Sequence, residues 1–185
     1  MQVCLSDLNE LNWKNIRRIL IVGNSGSGKT TLANSIGKIT GLPVSSMDTF
    51  RWRSNWEKVS DKRFKNAIRR TVRREDWIIE GVFPNGVELC AFTADIIIFL
   101  NLNPIRCLRN VIIRSFLFQN VARPGLPEGC VEKFNLRFYF LIVFFGLKTK
   151  QRILSAIRAN PATKWVYLDD HRQSELLLGI FRGNF

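Results

Sequence analysis

The chain is poor in acid and nearly without histidine. Fifteen aspartates and glutamates stand against 28 lysines and arginines, for a formal net charge of +13, and His171 is the one histidine in 185 residues. Such a balance calls for an anionic partner or a solvated basic surface; nucleotide phosphates would occupy only a few of these charges, so nucleic acid and an anionic membrane both stay open. Cysteine is scarce and scattered: Cys4, Cys90, Cys107 and Cys130 form no CxxC pair. With a lone histidine this indicates neither a zinc site nor a disulfide framework, and free thiols in a reducing cytoplasm fit best. The first residues, through Asp7 and Glu10, lack the basic start and apolar core of a signal peptide, so a cytoplasmic protein is expected. Residues 138–147 carry no charge, yet ten residues are too few to span a bilayer. They suit a buried helix, a subunit contact (a homo-oligomer) or a membrane-surface role. The length allows one well-buried domain over residues 1–185, with residues 1–15 as a leader without assigned function, and is short for AAA-type motors or helicases.

What is present is a phosphate loop. Gly23-Asn24-Ser25-Gly26-Ser27-Gly28-Lys29-Thr30 follows the apolar run Ile19-Leu20-Ile21-Val22 and meets the pattern GxxxxGK[ST] at every fixed position. Three glycines bring the backbone close to a polyphosphate, so that successive N–H groups and the positive end of the next helix face the anion. Lys29 then reaches the β and γ phosphates, and the Thr30 hydroxyl is placed on Mg²⁺. Thr31, Leu32, Ala33, Ile36 and Ile39 continue at helical spacing to residue 40, where Gly41 and Pro43 end the helix. A dinucleotide fingerprint is excluded, because GxGxxG from Gly26 would need glycine at Thr31.

Further along, residues 44–47 suit a second strand, with Asp48 at its carboxyl end beside the loop. Asp48 is open to three roles: holding Mg²⁺ through water, accepting a proton from a substrate hydroxyl, or capping a helix. Arg51, Trp52, Arg53 and Trp56 interleave cations with aromatics, a pattern that holds a flat acceptor or packs on the core. Ser60 caps a helix over 61–75 with seven basic residues, either a nucleic-acid surface or a solvated face. Trp77-Ile78-Ile79-Glu80, followed by Gly81, has the form of a Walker B strand whose acid holds Mg²⁺ opposite Thr30. Residues 95–100 form the most apolar strand, leaving Asn101 rather than an acid at its exit. A helix from Pro104 carries Arg106, Arg109 and Arg114 into a flap with Arg123, Pro124, Gly125, Pro127 and Gly129, and a lid over about 106–135 is expected. Its arginines either neutralise a transferring phosphoryl group or form structural ion pairs. A long helical region over 131–160, a fifth strand over 164–168 and a terminal helix after Asp169-Asp170-His171 complete the chain.

The ordered set resembles the bacterial DNA topology modulation proteins, which are similar to adenylate, shikimate and gluconate kinases. The resemblance rests on the phosphate loop, on Met47-Asp48 with Trp52 and Asn55-Trp56, on residues 77–81, on Asn103-Pro104 and on Arg123-Pro124 through Cys130, and covers about residues 18–178. It implies a three-layer P-loop NTPase fold with a five-stranded parallel sheet in the order 2-3-1-4-5, helices on both faces, a lid after the fourth strand, and use of ATP and Mg²⁺. Glu80-Gly81-Val82-Phe83 stands where that family has Asp-Gly-Asn-Tyr, and Asn101 where an acid is frequent.

The leading expectation is an ATP-dependent phosphotransferase acting on a small acceptor such as a nucleotide. Residues 23–31 and Arg109 bind the nucleotide, and Thr30 and Glu80 hold the metal. Lys29, Asp48, Arg114 and Arg123 serve catalysis; Asp48, Arg51, Trp52, Arg53, Trp56, Glu80 and Gly81 meet the acceptor. The rival is a nucleic-acid-associated P-loop ATPase that modulates DNA topology, and a third reading is a degenerate loop that binds nucleotide without turnover.

Overall fold

The computed structural model describes residues 1–5, 7–8, 11–118, 126–127, 129–131 and 134–185. Its centre is β2 (Arg18–Gly23), which pairs in parallel with β4 (Trp77–Gly81) on one side and β5 (Ile96–Leu100) on the other. Beyond them lie β3 (Val44–Ser46) next to β4, and β6 (Lys164–Leu168) next to β5. The five-stranded expectation is corrected. The sheet has six strands in the order β1-β6-β5-β2-β4-β3, because β1 (Gln2–Val3) adds to the edge of β6. A two-residue strand carries no readable alternation, so the leader gave no sign of it.

Alternation along β2 explains the layers. Ile19 and Ile21 point to one face, against Leu32 and Ile36 of α1 (Lys29–Thr40) and Leu177 and Phe181 of α8 (His171–Asn184). Leu20 and Val22 point to the other, against α3 (Asp61–Val72), α4 (Pro84–Ala91) and α7 (Thr149–Arg158). Both faces are therefore covered, as a parallel sheet requires. The leader is fastened further by Trp13, buried edge-on against Phe181 with its indole N–H donated to the Leu8 carbonyl.

Three further boundaries differ from expectation. The second strand stops at Ser46, whose hydroxyl accepts from the Asp48 N–H and so starts α2 (Met47–Arg51). Helix α4 went unforeseen: Val87, Cys90 and Ala91 fall on one buried face, but eight residues opened by Pro84 and containing Gly86 are too few for that period to be read. The helical region over 131–160 is two helices, α6 (Leu136–Val143) and α7, parted by a turn containing Gly146. After β5, Asn103 caps α5 (Pro104–Leu117), with Pro104 in its first turn.

Candidate active site

The phosphate loop runs from the carboxyl end of β2 into α1 and is closed in by α5. Gly26 has φ +81°, and a Cβ there would meet the Cys107 carbonyl and stand 2.9 Å from Val111 Cγ2. Only glycine allows both the left-handed turn and that approach. Asn110 on α5 donates its side-chain amide to the Gly26 carbonyl at 2.9 Å, and Asn24, buried, donates its own to the Ile142 carbonyl of α6 at 2.8 Å. The loop is thus tied to α5 and α6. Nothing in the order of residues marks Asn110 or Ile142 for this task, because both act through contacts 84 and 118 residues away in sequence.

Lys29 is 8% exposed and donates to the Asn24 carbonyl at 2.8 Å, across the mouth of its own loop. Burial pulls its pKa down; the charges of Glu80 and Asp48 oppose this, and that of Arg114 adds to it. Those four residues therefore share one electrostatic environment, although they come from α1, β4, α2 and α5. Thr30 donates its hydroxyl to Glu80 Oε1 at 3.1 Å. Glu80 is 3% exposed, at the end of β4 opposite Ile21. The buried Ser27 hydroxyl has no hydrogen-bond partner.

These residues fit a Mg-nucleotide. A hydroxyl and a carboxylate are hard oxygen donors suited to Mg²⁺, which takes one or two protein oxygens and completes its shell with water and phosphate. Among the described residues no cluster of three or more His, Cys, Asp or Glu could hold a metal by itself, so phosphate oxygens would have to supply further ligands. The orphaned Ser27 hydroxyl and the N–H groups of the loop suit phosphate oxygens in the same way.

The remaining candidates fall into three groups. Asp48 is half-buried in the first turn of α2, and Gly81 lies beneath Met47. Arg51 is buried: it pairs with Asp61 at 2.6 Å and sits 5.0 Å from the Phe64 ring centroid and 5.7 Å from that of Phe83. Arg53 is exposed, 3.9 Å from Glu57. Trp52 and Trp56 meet edge to face at 5.6 Å, and Trp56 donates its indole N–H to the Val131 carbonyl at 2.8 Å. Asn55 and Trp56 hold φ values of +58° and +60°, a strained conformation for a bulky side chain. Cys130 donates its thiol to the Arg53 carbonyl at 3.1 Å, so the aromatic loop is braced against residues 129–131. Arg109 is exposed on α5. Arg123 and most of the expected flap lie outside the described residues. His171, at the start of α8, brings its ring within 3.7 Å of the position a Cβ on Gly28 would take.

Residues 19–83, from β2 through the phosphate loop to just past β4, match the ATPase family associated with various cellular activities (AAA). No curated protein matches the chain significantly in sequence. In structure, the shikimate kinase of Bacteroides thetaiotaomicron is similar over 90% of this chain and 97% of its own, at 18% identity and a TM-score of 0.55. The shikimate kinase of Acinetobacter baumannii, determined in complex with shikimate, is similar over 92% of this chain and 93% of its own, at 14% identity and the same TM-score. The fold is therefore that of an α/β P-loop protein of the kinase-like kind.

Proposed function

We propose that the protein is an ATP-dependent phosphotransferase acting on a small-molecule acceptor such as a nucleotide. The observation that carries this reading is an intact phosphate loop whose buried Lys29 bonds to the Asn24 carbonyl and whose Thr30 hydroxyl meets the buried Glu80 carboxylate. The loop N–H groups and Lys29, released from the Asn24 carbonyl, hold the β and γ phosphates. Bound Mg²⁺ would be held from Thr30 and Glu80 and would draw charge from the phosphate oxygens. The acceptor oxygen bonds to the γ-phosphorus, the bond from that phosphorus to the β–γ bridging oxygen breaks, and ADP leaves. With a hydroxyl acceptor, the proton passes to the Asp48 carboxylate. Arg114, with Arg109 and Arg123, balances charge on the transferring group. Trp52, Trp56 and Arg53 frame the acceptor, Gly81 lets Met47 and with it α2 close onto β4 beside it, and Arg51, turned to Asp61, props α2 from behind. The test is ADP formation from Mg·ATP across nucleoside monophosphates, nucleosides and hydroxy acids. Turnover that needs one such acceptor and disappears in Lys29→Ala supports the reading; turnover stimulated by duplex DNA alone overturns it.

One observation favours the alternative of a nucleic-acid-associated ATPase, in line with the resemblance to DNA topology modulation proteins. A groove of about 660 Å³ beside α3 is lined by Arg63, Arg69, Arg70 and Arg73. Among the described residues none of these four has a carboxylate within salt-bridge distance. A backbone of phosphates would suit them, and binding would then weaken steeply with salt.

A further inference from the structure

Among the described residues, the two helices that seat the phosphate loop leave an apolar surface uncovered. On α6 and its cap, Leu136, Phe140 and Phe144 recur at one-turn spacing and are 75%, 62% and 52% exposed. The opposite side of α6 is satisfied internally: Ile142 packs with Val111, Cys107 and Leu102. The rings of Phe140 and Phe144 stack on each other, 6.0 Å apart, with open flanks. The surface continues onto α5, where Phe116 meets Phe134 edge to face at 5.1 Å and Phe134 meets Tyr139 at 6.3 Å. Scattered single hydrophobes on a surface are ordinary, but a connected aromatic face marks an interaction site.

Charge selects the occupant. Residues 96–168 contain eleven basic residues and only two acidic ones, Glu128 and Glu132. Arg137 and Lys148, both exposed, flank the apolar residues of α6. A second copy of this chain would bring an identical basic rim against this one, with +13 on each protomer, so self-association on this face is opposed. A surface that is apolar below and anionic at its edge meets both features. Among the described residues no helix is long and apolar enough to cross a membrane, so the contact is made by lying on it.

We infer that the aromatic face of α5 and α6 docks on an anionic lipid bilayer. The exposed phenylalanines and leucines enter the boundary between headgroups and acyl chains, and Arg137 and Lys148 meet lipid phosphates. Because α6 also supplies the Ile142 carbonyl that holds Asn24, the docked surface stands one helix away from the phosphate loop.

The test is co-sedimentation of the full chain with vesicles of phosphatidylglycerol and phosphatidylcholine, against vesicles of phosphatidylcholine alone. Binding to the mixed vesicles should exceed binding to the neutral ones at least tenfold. The double substitution Phe140→Ser and Phe144→Ser should lower it at least tenfold, with the circular dichroism spectrum and melting temperature unchanged. Leu147→Asp, in the turn after α6, provides the same readout if the double variant does not fold. Absence of binding to anionic vesicles overturns the inference. So does binding that neither substitution weakens, which would place the contact elsewhere, as on the α3 arginines. A dimer in light scattering that the double variant abolishes would assign the face to a second copy instead.

Discussion

Thr30 donates its hydroxyl to Glu80 Oε1 at 3.1 Å, joining the end of the phosphate loop to the carboxyl end of the neighbouring strand. The hydrogen bond holds together the two oxygens that a magnesium ion would need. Replacing Glu80 by Gln keeps an acceptor for Thr30 but removes the charge. The proposed metal role therefore predicts that Glu80→Gln folds normally and raises the Mg²⁺ concentration for half-maximal turnover about tenfold or more. An unchanged Mg²⁺ requirement would remove Glu80 from the metal site.

Lys29 is buried, and its pKa is lowered chiefly by that burial. Lys29→Ala should reduce turnover by about a hundredfold or more, the scale of losing one preorganised donor to transition-state charge. Because the free protein releases the Lys29 proton below the ordinary lysine range, ATP affinity should also fall at a lower pH than for an exposed lysine. Calorimetric titration of ATP between pH 8 and about 10.5 reads this directly. A flat profile would show that the Lys29 charge does not contribute to binding.

Gly26 stands under the carbonyl of Cys107, in the left-handed region. Gly26→Ala combines a steric conflict with a strained backbone and should cost about 2 kcal/mol or more, lowering the melting temperature by several degrees. An unaltered melting temperature would mean that α5 is not seated on the loop in solution.

Hydrogen bonding to Arg51, aided by the attraction of its charge, holds the Asp61 carboxyl below the ordinary aspartate range. A depressed carboxylate pKa stabilises the fold above the unfolded value, and that contribution is lost as pH falls through the folded one. Stability should thus decline as the pH drops below about 4, and Asp61→Asn should flatten that part of the profile. Chemical denaturation at a series of pH values distinguishes the two. A profile identical in the variant would show that the Arg51 pair does not form.

Thiol reactivity should follow burial. Cys4 is exposed, whereas Cys90, Cys107 and Cys130 are buried, and desolvation pushes the Cys90 and Cys107 thiols up. Alkylation at pH 8 followed by mass spectrometry should mark Cys4 first and leave the others until the protein is unfolded. Early marking of Cys107 would contradict the packing of α5 against the loop.

Much of this protein can be read from local order. The phosphate loop, the strand before it and the helix after it are specified by neighbours in sequence: an apolar run, three glycines and a lysine within eight residues need no distant partner to be recognised. The strands at residues 77–81 and 96–100 were legible for the same reason: the runs Trp77-Ile78-Ile79 and Ile96 through Leu100 suit a sheet covered on both faces. Tertiary structure alone decided the rest, because it depends on surfaces that meet across the chain. Gln2–Val3 becomes a strand only where the edge of β6 offers it hydrogen bonds. Arg51, a candidate substrate cation by its residue type, pairs with Asp61 because α2 packs on α3. Trp56 accepts a strained backbone because Val131, 75 residues later, takes its indole N–H. The uncharged run at residues 138–147 is divided between core and surface by the side of α6 that meets α5, a division that helical period allows but only packing chooses.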